Sequence, residues 1–342
     1  FESTIQSDGT LRSLTVNAGT GRVFFDGDIG GGDIASTAVD TLAVSGRSIR
    51  LNRVTSANTQ HYAATSRIRL YSDLVSDGAD IEFGGNVSLH REISIDTTNG
   101  GQGTSAGDVR FLASLDSDQD ALSITAGLGD IRFAGPVGSD DHLGLVSVRS
   151  AGLVQIEQSF EAEGLNDWSA EQIDIQGDVT AVDGQIVLTA GTGGISIVGA
   201  LATDPLTVTS ERIDITVTGA GVAAFENTNL TTEQALYGHD GDTITISAVD
   251  GSLLFDNVSI NAENVIDGGD VTLSGLVRLL DGGLTIDTGL DSGDITIEHD
   301  IVRDAASLVA PGLILGGGTG NIHIQGSVGT KHAPIGDVEI HQ

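Results

Sequence analysis

The sequence predicts an all-β fold: a right-handed parallel β-helix (solenoid) of about 15 rungs at roughly 21 residues per rung. Three observations carry that expectation. Short aliphatic–polar–aliphatic segments closed by Gly or Asp run along the whole chain. Helical periodicity is nearly absent. A longer pattern also repeats, and its spacing fits a solenoid coil.

The segments come in order as DIEFGG (80–85), DVRF (108–111), DIRFAG (130–135), QIDIQG (172–177), GISIVG (194–199), DVTLSG (270–275), DITIEH (294–299) and NIHIQG (321–326). Alternation with period two over three or four residues marks a half-buried strand with one inward face. The exception is EAEGLNDWSAEQ (161–172), which reads as a short helix or an irregular loop. Excursions from the repeat are expected at 56–66, 97–107, 161–171 and 220–242.

LTVNAGTGRVFFDGDIG (14–30) aligns without gaps to LSITAGLGDIRFAGPVG (122–138), and the frame fits again at 186–202 and 313–329. From each start to the next the offsets are 108, 64 and 127 residues, close to five, three and six coils of about 21 residues. That unit is too short for a propeller blade and lacks the helix of a leucine-rich repeat. In this frame Gly19, Gly127, Gly191 and Gly318 occupy equivalent corners, where φ > 0 or close backbone approach is needed. Ile124, Ile131, Phe133, Val137, Ile195, Ile197, Ile322 and Ile324 point into the core, together with Leu14, Val23 and Phe25. The chain reads as one continuous domain over 1–342, a segment of a longer repetitive protein or a subunit that stacks into a filament.

Composition excludes several functions. Asp plus Glu number 48 against 15 Lys plus Arg, a formal net charge of −33, which repels nucleic acid and anionic headgroups. There is no Cys, so thiolate metal centres and disulfide frameworks are out. No apolar run approaches the roughly 20 residues of a membrane-spanning helix. Within the acid, 35 residues are Asp and 13 are Glu, and Asp with Gly favours turns over helix interiors.

The frame L-x-I-x-A-G-x-G-D-I-x-F-x-G-x-V-G, followed by LGLVSVRSAGLVQI (143–156), resembles the β-strand repeats of large bacterial surface proteins of the filamentous-haemagglutinin-like adhesin class. The resemblance runs along the whole chain. It implies a secreted, cell-surface, adhesive or scaffolding protein with no catalytic residues. The expected function is a non-enzymatic extracellular structural element of a fibre, filament or sheath. Its partners would be itself, end to end, and surface glycans or other cells. A carbohydrate-binding or polysaccharide-cleaving site is the alternative, with Asp140, Asp141 and His142, or His239 and Asp240, as its candidate groups. Such a site needs aromatic walls, for which Trp168, Tyr62, Tyr71 and Tyr237 are available.

Calcium is the one cofactor the sequence suggests. Asp116, Asp118 and Asp120 in DSDQD place carboxylates at alternate positions, like the opening of a Ca²⁺ loop. An EF-hand would need Gly at the sixth position and Glu at the twelfth. The sequence has Ala121 and Gly127 there, which leaves at most a simpler calcium-stiffened turn.

Overall fold

A computed structural model describes residues 1–31, 36–101, 106–200, 205–232, 243–262, 268–289, 292–332 and 334–341. Contacts divide the chain into two compact units. One holds Phe1–Glu163 with Asp167–Ala170, and the other holds Gly164–Asn166 with Glu171–Gln342. The described residues contain strands and no helix, so the all-β expectation holds.

The first unit is built from three ladders of parallel strands. One runs through Leu14, Leu42, Gln60, Ile81, Val109, Ile131 and Val154. A second runs through Val23, Ile49, Ile68, Val87 and Leu115, and continues by bridges to Val137 and Phe160. A third runs through Ile5, Ile29, Val54, Leu74, Ile95, Ile124 and Val148. Parallel register sets like over like, and the core follows from it. Tyr62, Phe83, Phe111 and Phe133 are ladder neighbours, and their rings stack with centroids 5.5, 4.9 and 5.3 Å apart. These separations repeat the roughly 4.8 Å spacing between strands. Trp168 closes this column, 6.4 Å from Phe133, and its indole N–H donates to the Val146 carbonyl at 2.9 Å.

In the second unit the sheet closes on itself. Strand Gln185–Val198 pairs with Arg212–Val217 through its first half and with Val222–Thr232 through its second. Both of those partners pair with Thr243–Asn261, which completes a circuit. That circuit has four strands; the sheet as a whole is a closed barrel of seven parallel strands with others bonded outside it. This overturns the expected open solenoid of about 15 equal rungs. The physical reason is that long strands stay hydrogen-bonded through positions read as corners. Nor is the spacing uniform: a ladder step takes 18 residues from Leu42 to Gln60 and 31 from Ile213 to Ile244.

The repeat also changes face. Leu14 aligns with Leu122, yet it shares a ladder with Val109 and Ile131, while Leu122 pairs with Ile93 and Val146. In the second unit Ile322 aligns with Ile195 but belongs to the ladder of Ile186. Copies that match in sequence therefore occupy different ladders.

Three of the four predicted corner glycines, Gly19, Gly127 and Gly318, have positive φ (56°, 65° and 51°). Gly191 does not; it lies inside strand Gln185–Val198, and Gly194 three residues on takes φ 80°. Ile124, Ile131, Phe133 and Ile197 are fully buried, as essentially are Val137, Ile195, Val23 and Phe25. Leu14, Ile322 and Ile324 are only half-buried. Among the described residues, strand Ile322–Ile324 has a ladder partner, Ile295–Ile297, on one side only. The segment read as helix or loop is strand Phe160–Ile175. Its inward positions include Ala162, Gly164 and Ala170, small residues that hide the alternation. The excursion expected at 56–66 is mostly strand Gln60–Leu70, and that at 220–242 begins as strand Val222–Thr232, its remainder lying outside the described residues.

Candidate functional site

The acid has a structural use. Asp80 accepts the backbone N–H of Asp108 at 2.9 Å, Asp108 accepts that of Asp130 at 2.8 Å, and Asp130 accepts that of Leu153 at 3.0 Å. Asp270 and Asp294 do the same for Asp294 and Asn321, at 2.8 and 2.6 Å. Each carboxylate reaches one strand along its ladder to an N–H at the strand entry. A side chain with one methylene spans that gap, and Glu would have to fold back. This accounts for much of the bias toward Asp, and it is fold chemistry rather than a site.

The described residues place the remaining candidates on one outer face of the first unit, over the second ladder. One register runs through Phe24, Arg50, Arg69, Ser88 and Asp116, the last two buried under the face. It ends at Glu161, which follows Phe160 and donates its N–H to the Val137 carbonyl. Charge along this line passes from positive through neutral to negative. Beside it Arg50 lies 4.5 Å over the Tyr71 ring, and Tyr71 stacks on His90 at 4.6 Å.

A groove of about 520 Å³ sits where the two signs meet, with Arg67 and His90 on one side and Asp116, Asp118, Asp120, Asp140 and Asp141 on the other. Two sequence candidates, DSDQD and SDDH, thus meet in one place. Asp116 is 8 % exposed and turns inward, accepting the Asp140 N–H at 3.1 Å and the Ser139 hydroxyl at 3.5 Å. Burial raises the Asp120 carboxyl pKa, with Asp118 adding to the rise and His90 opposing it. Burial and then Arg69 hold His90 below its ordinary pKa, against a smaller pull from Asp120. Among the described residues no group of three or more His, Asp or Glu side chains is arranged to hold a metal ion. His142 stands 3.4 Å from the Gln119 amide.

The aromatic candidates do not gather here. Trp168 and Tyr62 are core residues, and Tyr71 is half-buried on the outer face. Tyr237, His239 and Asp240 lie outside the described residues. Sequence reading missed the basic half of the face. Its signal was there: Arg22, Arg50, Arg67 and Arg69, the arginines of the second ladder, are four of the 15 basic residues. Comparison of the chain with protein-family models, curated proteins and solved structures returns no match.

Proposed function

We propose that the chain is a non-enzymatic structural element of an extracellular or cell-surface assembly, extended by strand addition at the edges of its sheets. The observation that carries this reading is the register: each strand is bonded to parallel neighbours of the same residue pattern, so an edge can accept a further strand of its own kind. The stacked core and the aspartate clamps support a scaffold, because they spend the conspicuous residues on holding strands together. The resemblance to adhesin repeats supplies the surface location, with glycans or other cells as contacts along the outer faces. A calcium-stiffened module, with the ion at Asp116, Asp118 and Asp120, is the alternative that the chelator arm decides. Electron microscopy of the purified chain, with and without chelator, tests the reading. Concentration-dependent end-to-end filaments are expected, and isolated particles at every concentration would refute it. Filaments that dissolve with chelator would assign calcium to the assembly.

A further inference from the structure

We infer that the charge-graded face of the first unit docks a second copy of this chain, side by side and antiparallel, about a two-fold axis over strand Val87–Leu89. This goes beyond end-to-end extension and does not rest on it.

The argument starts from the order of charges. Counting strands along the second ladder, Arg22 belongs to the first, Arg50 to the second, and Arg67 and Arg69 to the third. The fourth presents Asn86 and, at its end, His90, with Ser88 buried between them. The fifth leads to Asp116 and Asp118, the sixth to Asp140 and Asp141, and the seventh to Glu161. A two-fold axis through the fourth strand sets the first against the partner's seventh, the second against its sixth and the third against its fifth. Arg22 then faces Glu161 of the partner subunit, Arg50 faces the partner's Asp140, and Arg67 with Arg69 faces the partner's Asp118. Each contact occurs twice, as an isologous interface requires. At the axis every residue meets its own copy, so charge there would repel. The fourth strand is where the register is neutral, and the adjoining corner carries Arg91 and Glu92, of opposite sign.

Two of these arginines, Arg67 and Arg69, are free to take part, while Arg50 would have to share its existing partners. Among the described residues, no carboxylate lies within ion-pair distance of Arg67 or Arg69, although the chain holds 48 acidic residues. Arg50 has a 3.4 Å pair with Asp26, with both side chains about 40 % exposed (40 % and 44 %). Six ladder steps make the face about 29 Å long at about 4.8 Å each, and it is held by exposed charge pairs, each worth little. The pair is therefore weak and tuned by salt. At about 0.15 M salt the Debye length is about 8 Å, so the contacting patch outweighs the net charge of −33. At low salt the net charge dominates and separates the copies. Lateral affinity should pass through a maximum as salt rises.

The test uses the full chain and two charge-reversed variants, Arg67→Glu with Arg69→Glu, and Asp118→Arg with Asp140→Arg. All four positions lie on the outer surface, and circular dichroism with thermal melts establishes that both variants fold. In sedimentation velocity at physiological salt, at protein concentrations below those at which electron microscopy shows filaments, wild type should form a dimer. Each variant alone should bind itself at least tenfold more weakly. Their equimolar mixture should recover the dimer, because both halves of the interface become complementary again. End-to-end growth involves neither set of side chains and is unaffected by them. The inference is overturned if wild type shows no lateral dimer, if either variant pairs as wild type does, or if the mixture fails to pair. It is equally overturned if the face instead binds an acidic oligosaccharide while the protein stays monomeric.

Discussion

Phe111→Ala is the sharpest test of the packing. Phe111 is 1 % exposed, with its ring 4.9 Å from Phe83 and 5.3 Å from Phe133. Replacing a buried Phe by Ala costs about 3–5 kcal/mol, the larger values where the site cannot collapse. Here it cannot. Phe83 and Phe133 ride on strands fixed in register on either side, Ile81–Phe83 and Ile131–Phe133, so neither ring can move along the ladder to fill the gap. About 4 kcal/mol is expected, including the two lost ring contacts at about 1 kcal/mol each. Trp168 is the sole Trp, fully buried at the end of the same column, and reports unfolding by fluorescence. With a slope of about 3 kcal/mol per M, the urea midpoint should fall by about 1.3 M. Leu128→Ala, at a position 86 % exposed, should leave it unchanged. A fall of less than about 0.3 M for Phe111→Ala, under 1 kcal/mol at that slope, would mean that the rings do not form one packed column.

Ile131→Asp and Ile195→Asp each bury an unpaired charge at positions 0 % and 2 % exposed, so both should lower the melting temperature steeply. An unchanged melt would place those side chains outside. Gly194→Ala should destabilise more than Gly191→Ala in the same assay. The first needs φ 80° and puts its Cβ 2.3 Å from the Val222 carbonyl oxygen, whereas the second meets only the end of the Glu171 side chain. Equal effects would restore Gly191 as the corner. The Ser307 hydroxyl and then the Val309 backbone N–H hold Asp281 below the usual carboxylate pKa. Its contribution is complete above that usual value and is lost as pH falls through the lower folded one. Asp281→Asn should therefore flatten the acid limb of a melting-temperature profile, and an unchanged limb would show that Asp281 is not linked to folding.

What could be read from the sequence was what has a local cause. DIEF, DVRF and DIRF alternate because each strand has one buried face, and the buried Ile131 and Phe133 follow directly. Phe160–Ile175 was misread because Ala and Gly fill inward positions there, giving no aliphatic alternation to see. Closure of the second unit was hidden because it depends on strand Gln185–Val198 holding its bonds past Gly191. The charged face needs the register that sets Arg50 beside Arg69 and Ser88 beside Asp116. Spacings that vary from step to step conceal that register from any fixed period. Half of the groove was still legible, as two acidic clusters, because each is contiguous in the chain.

The change of face between matching copies separates two design variables. Leu14 and Leu122, matching positions of the repeat, stand on different ladders, the first half-buried and the second fully buried, so the fold accepts a copy in either phase. The interchangeable part is then a single strand with its corner. Within the first unit, adding or removing one such part would carry the later surface residues to a neighbouring ladder while leaving the interior composition unchanged. What the molecule displays, and in which direction, can thus be re-addressed by small insertions that the interior does not register.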